Sequence, residues 1–346
     1  MLPSKEQAVK NELNKTPHAS LQCAPSGVVL SGDEGEVQMD VIKPRFNKPA
    51  LGVEALADLL LCRGLKGISK TELAQKLRFV NYYHLRGYTY PYQDNSQDDS
   101  PFMTGTTWQQ IWADYQFDSE LRMLIFDGIS RFEIALRSIV TLLMCEHYGT
   151  QWFENQSLFV SEVQFKKDLK ELIDNWNRSK DDFKIHYTKC YDTNQLPPAW
   201  MIFETSTLGL VSKYLENLQK RLVPKTLIMR QFGFNKQSGK IFLSWIHQLN
   251  YVRNICAHHA RLFSRKLTYS SIVPKKLTNK WVNKIPASDK VYMTICILTY
   301  LLDICAPDYQ FKDKLIYLLD NANSEQLNFM ECPQDWKEQA LFMIPL

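Results

Sequence analysis

The chain has 346 residues, 45% of them hydrophobic and 23% charged, with a formal net charge of +4. That length can bury the core of one large domain or two smaller ones, and the composition is that of an ordinary soluble globular protein. Eight cysteines stand singly with no CxxC pair, which excludes a disulfide framework and a zinc site and suits reduced thiols. The longest apolar runs, "LLL" at 59–61 and "ICILTYLLDICA" at 295–306, are too short to span a bilayer. The first residues, "MLPSKEQAVKNELNK", lack the apolar centre of a secretory signal, so a cytoplasmic protein with no membrane association is expected.

Residues 1–42 are polar and rich in Gly, Ser and Pro, and read as a disordered or loosely attached tail. A small N-terminal helical region is expected over 43–104. In it "GVEALADLLLCRG" has apolar spacing of three to four and closes on Gly64 as a C′ residue. "SKTELAQKLRFV" opens with Ser69 and Glu72 placed as a capping box. The aromatic block "NYYHLRGYTYPY" and the acidic loop "QDNSQDDS" follow, and Thr106 or Thr107 can cap the next helix. A helical bundle is expected over 105–321. Its longest periodic segment runs from Asp118 to about His147, with an apolar stripe of Leu121, Leu124, Ile125, Ile129, Phe132, Ala135, Leu136, Ile139 and Leu143. Glu133 and Arg137, four apart, are expected to pair within that helix. Further helices fit 161–178, 199–221, 224–232, 238–265, 288–305 and 311–321, and 322–346 reads as a C-terminal tail. No period-two alternation is found, so the fold class is all-α, a bundle with a small N-terminal helical extension.

Charge is distributed unevenly along the chain. No carboxylate occurs between Glu216 and Asp289, and those 72 positions carry +14, leaving −10 for the other 274 residues. Such a segment points to an anionic partner, nucleic acid first. Within it lies "YVRNICAHHARLFSR", residues 251–265. Taken as a continuous helix over 240–265, it places Phe242, Trp245, Leu249, Val252, Cys256, His259 and Phe263 on a core-facing side. His247, Asn254, His258, Arg261 and Arg265 fall on the opposite side. His259 is thus expected in the core and His258 outside, with Arg253 about 140° round from His258.

Metal-free cleavage of RNA needs a proton acceptor for the 2′-OH, a proton donor for the leaving 5′-oxygen, and positive charge on the phosphorane. Imidazole titrates near neutrality and serves as acid or base. Guanidinium stays charged and offers paired donors to phosphate oxygens. The candidate catalytic set is therefore Arg253, His258 and Asn254, with Arg261, Arg265 and Lys266 as RNA-binding cations. No metal ligand set or cofactor loop is read, so no cofactor is expected. The same cations would serve a non-catalytic RNA-binding protein equally well, and a helical scaffold for a protein partner is a third reading. The tyrosines of "NYYHLRGYTYPY" suit base stacking as well as packing of the N-terminal helices.

With these residues in view, the chain resembles the Abi-like (abortive-infection, AbiD/AbiF-type) family, whose R-N-x-x-x-H ribonuclease signature, of the type called HEPN, is met by Arg253, Asn254 and His258. "LRFVNYYHLRGYTYPY", "FDSELRMLIFDGISRFEIALRS", "PPAWMIFETSTLGLVSKYLENL" and "LSWIHQLNYVRNICAHHARLFSR" resemble the family's blocks in order. The resemblance runs from about residue 44 to 305. It implies a HEPN-type helical bundle and a metal-independent endoribonuclease acting in phage defence or as a toxin. It also implies a homodimer whose two motifs meet in one composite site. Some relatives associate with a small noncoding RNA, so an RNA-holding ribonucleoprotein stays open beside the nuclease.

Overall fold

The computed structural model describes residues 50–343 apart from 98, 193, 276, 278 and 279. Among the described residues there are thirteen α-helices and no β-strand, as the missing period-two alternation implies. The tail expected over 1–42 lies outside the described residues. None of the described helices is by itself long and apolar enough to cross a membrane.

Two compact units meet inside the longest helix, after Tyr115 rather than at residue 104. The reason is that the first two turns of that helix belong to the N-terminal core. This unit holds α1 (Val53–Cys62), α2 (Lys70–Phe79), α3 (Tyr82–Thr89) and the start of α4 (Trp108–Tyr148). Trp108 and Ile111 are buried, Trp108 N–H donates to the Lys66 carbonyl, and buried Asp114 accepts from the Tyr92 hydroxyl at 2.8 Å. Both local signals of the sequence are present. Ser69 and Glu72 form the capping box of α2, and Gly64 takes φ +98° after α1. The aromatic block, expected only as a dense stretch, forms α3, capped by Asn81.

In the second unit, Leu121, Ile125, Ile129, Phe132, Leu136, Val140 and Met144 make the buried stripe of α4, while Leu124, Ala135, Ile139 and Leu143 of the expected stripe are half-buried. Gly128 sits in this stripe because a Cβ there would lie 3.0 Å from Phe311. Packed in the same unit are α5 (Glu162–Arg178), α6 (Asp182–Cys190), α7 (Ala199–Ile202), α8 (Leu208–Asn217), α9 (Val223–Gln231) and α10 (Gly239–Ala257). They are followed by α11 (Val291–Cys305), α12 (Phe311–Asp320) and α13 (Ser324–Met330). Helix α11 is buried without a break from Val291 to Leu302, which accounts for the apolar run there.

The single helix expected over 199–221 is broken. Ser206 turns its hydroxyl back onto the Phe203 carbonyl, and Thr207 caps a fresh start at α8 by accepting from Leu210 N–H. Arg137 holds the break, donating to Glu204 at 2.9 Å and to the Ser206 carbonyl at 3.3 Å, besides its expected partner Glu133. The segment 322–346 is not a loose tail over its described part. It contains α13, buries Trp336, Leu341 and Phe342, and presents Gln339 Oε1 to the N–H groups of Asn283 and Lys284. A helix of seven residues is too short to leave a periodic trace in sequence.

Candidate active site

Helix α10 carries the Arg253–His258 motif. Phe242, Trp245, Leu249, Val252 and Cys256 are buried along it, as the helical wheel requires. Burial pushes the Cys256 thiol up to about 12, the nearby Asp118 charge adding to it, so this cysteine is a packing residue at neutral pH. The helix is locked from outside by the chain that follows it. Gln248 donates to Thr294 Oγ1 and accepts from Ser271 N–H, while Trp245 Nε1 donates to the Ile272 carbonyl.

The helix ends at Ala257, eight residues before the expected limit. His258 is the C-cap, and His259 follows with φ +54°. The N–H groups of His259 and Ala260 donate to the carbonyls of Cys256 and Ile255, the paired bonds of a Schellman turn. This corrects the core placement of His259: its side chain is exposed, because the backbone leaves the helix before that position. Phe263 is buried as expected, but it arrives there through the turn.

What fixes the turn is Asp118, fully buried on α4. Leu262 N–H reaches both of its carboxylate oxygens at 3.1 Å, and Phe263 N–H reaches one at 2.7 Å. Arg122, one turn along α4 and also buried, pairs with the same carboxylate. Phe117 and Phe329 pack edge-on against Phe263. Sequence reading did not single out Asp118. Its signal was an acid at the head of an apolar stripe, within a block already matched for resemblance.

His258 is exposed at this fixed helix end, and Asn254 is exposed one turn before it. Arg253 is half-buried. Its Nη1 lies 3.5 Å from Asn254 Oδ1, and its guanidinium carbon is 5.8 Å from the centre of the Phe126 ring on α4, within cation–π range. No hydrogen bond among the described residues joins the His258 ring to Arg253 or Asn254, so one chain brings the arginine to the asparagine and leaves the imidazole open. Arg261 and Arg265 are half-buried in the turn, and Lys266 is exposed with Asp289 at 3.4 Å. Tyr251 shares the outward face with His258, and the ring of exposed Tyr269 meets it edge-on at 5.1 Å. Neither Phe126 nor these tyrosines were read from the sequence as site residues, since their part depends on contacts between distant segments.

A helix C-terminus carries partial negative charge. An anion there depends on the cations around it, which Arg253, Arg261, Arg265 and Lys266 supply. An exposed imidazole can take or give a proton, and guanidinium and ammonium groups can bind an anion.

This is an all-helical protein with an exposed imidazole and a clamped arginine on one helix. The chain matches the Abi-like protein family over residues 75–264, more than half its length, and it belongs to that family. The matched region takes in Asp118, Phe126, Arg253, Asn254, His258 and Arg261, and ends one residue after Phe263. No curated protein and no solved structure matches the chain.

Two outcomes follow for the turn. Asp118→Ala removes the carboxylate that pairs with buried Arg122 and receives the turn's N–H groups, and should cost about 3–5 kcal/mol in denaturant unfolding; a loss below about 1 kcal/mol would remove Asp118 as the anchor. His259→Gly should hold or raise stability by up to about 1 kcal/mol, and His259→Val should lower it, since φ is positive there. A core histidine would give the opposite order.

Proposed function

We propose that this Abi-like protein is a metal-independent endoribonuclease of the HEPN type, acting in abortive infection of phage-infected bacteria or as a toxin. The observation that carries the reading is the exposed His258 imidazole, held at a rigid helix end on the same helix as Arg253 and inside a segment without carboxylates. In this reading His258 takes the 2′-OH proton. The 2′-oxygen then attacks phosphorus, and the bond to the 5′-oxygen breaks as that oxygen takes up a proton. The products are a 2′,3′-cyclic phosphate and a 5′-hydroxyl. Arg253, steadied by Phe126, neutralises the phosphorane, and Asn254 orients the guanidinium or bonds the phosphate. Arg261, Arg265 and Lys266 track the RNA backbone.

One imidazole cannot be base and acid in the same instant, and Arg253 stands about 140° from His258 around the helix. A homodimer answers both points by supplying a second motif. On the outward side of α4 near Phe126, Met123 and Ile134 are 71% and 63% exposed with the exposed Asp127–Arg131 pair between them, a mixed surface open to a second copy. The alternative, a protein that holds a small noncoding RNA without cutting it, uses the same cations but gives His258 no task.

Purified protein incubated with RNA and EDTA should yield 2′,3′-cyclic phosphate ends. His258→Ala should lower the cleavage rate by at least about 100-fold while RNA binding persists. A requirement for a divalent metal, or full activity in the His258→Ala protein, would refute the assignment.

A further inference from the structure

We infer that the N-terminal unit carries a stacking platform for single-stranded nucleic acid, formed by Phe79, Tyr83 and Tyr90 around the Arg86 guanidinium. Phe79 and Tyr83 are 85% and 82% exposed, more than any other large apolar side chain among the described residues. Tyr83, Arg86 and Tyr90, at positions i, i+3 and i+7, run along one side of α3 and its 3₁₀ extension. Leu85, Tyr88 and Thr89 occupy the other side and are buried, so the packing of the unit does not need the outer rings. The Arg86 guanidinium carbon lies 5.9 Å from the centre of the Tyr90 ring, which adds a charged flat group to the row. Phe79 ends α2, and the cap at Asn81, accepting from Tyr83 N–H at 2.7 Å, fixes the turn between Phe79 and Tyr83.

The charge around these rings selects the occupant. No carboxylate occurs between Glu72 and Asp94, and Lys76, Arg78 and Arg86 lie in that interval. Of the acids near them, Glu54 lies 4.0 Å from Arg78 in a solvent-exposed pair that screens it little, and the acidic loop from Asp94 follows Tyr90, with Asn95 donating to the Tyr90 carbonyl at 3.0 Å. Flat apolar faces set among cations fit unstacked bases joined by phosphates. A duplex hides its base faces and is excluded. Lys76 lies over the Trp112 ring at 4.6 Å, which leaves Arg78 and Arg86, and a second copy meeting this patch across a twofold axis would set those two against their own copies. A bilayer surface is a poorer fit, because Leu77 and Leu85 are buried and the exposed rings include two phenol hydroxyls. The platform belongs to the unit that does not contain His258, and it does not depend on the nuclease reading.

The test is fluorescence anisotropy on the full chain carrying His258→Ala, so that RNA persists, with an oligouridylate and an oligodeoxythymidylate of about 15 nucleotides as probes. Adding Phe79→Ala and Tyr83→Ala should weaken RNA binding roughly 10- to 100-fold with the melting temperature unchanged. A parallel loss on the DNA probe assigns the platform to base stacking, and a loss confined to RNA assigns it to an RNA-specific surface. Tyr83→Trp should keep the affinity, and Arg86→Gln should flatten its salt dependence. Unchanged RNA affinity in the double variant would overturn the inference. So would an equal loss on duplex RNA, a change in self-association alone, or a loss of binding to anionic phosphatidylserine vesicles in place of the oligonucleotides. Because binding is read without turnover, failure here leaves the cleavage test standing, and failure of cleavage leaves this one.

Discussion

A carboxylate sealed from water needs its charge answered on every side, and Asp118 has that answer from two directions. Arg122 compensates the charge from the same helix, and the N–H groups of Leu262 and Phe263 close the remaining lone pairs from a segment 144 residues later. The geometry works in reverse too. Those two N–H groups lie in a buried turn, and Asp118 is the acceptor that both of them reach. The site's shape depends on this one closure. It lets α10 stop at Ala257, delivers His258 as a cap residue in solvent, and turns Phe263 into the core between Phe117 and Phe329.

Two turns of the same type show what sequence can and cannot reveal. After α1, Gly64 N–H donates to the Leu61 carbonyl and Leu65 N–H to that of Leu60; after α10, His259 and Ala260 make the equivalent pair. Glycine announces the first turn, since it alone enters positive φ without steric cost. Histidine does not announce the second. The apolar spacing even continues through His259 to Phe263, so periodicity alone extends the helix eight residues too far. A long-range bond from Asp118 overrides that local pattern, and no window of neighbouring residues contains it. The capping box at Ser69 and Glu72 and the stripe of α4 were legible for the converse reason: their partners are three or four positions away. The break at Ser206 and Thr207 belongs with the turn at His259, since Arg137 and Glu204 steady it from different helices.

The charge excess of residues 217–288 also reads differently once folded. Lys225 is buried, with Nζ donating to the carbonyls of Glu216 and Leu218 at the end of α8, and burial pulls its pKa down to about 8. Lys266 and Lys284 face Asp289 and Asp335, both outside the acid-free interval. Part of the +14 therefore closes helix ends and anchors loops. The exposed pairs are weak and yield to a stronger anion, whereas Lys225 does not. The motif's position on its helix matters more than the total.

Arg253 lies in the last turns of α10 and His258 is its C-cap, and that spacing constrains the proposed chemistry. Five positions carry them about 140° apart and about 7–8 Å along the axis, so a single phosphate can touch both only if the arginine folds round the helix. Its guanidinium carbon lies 5.8 Å from the centre of the Phe126 ring on α4. The same guanidinium lies 3.5 Å from Asn254 Oδ1, so it stands between Phe126 and the face that carries His258. A second copy seated on α4 beside Phe126 would cover Met123 and Ile134 along with the Asp127–Arg131 pair between them, and would bring its own imidazole towards the guanidinium. One interface would then supply the second imidazole that the proposed proton transfers need, which is the chemical case for assembling the proposed site in trans.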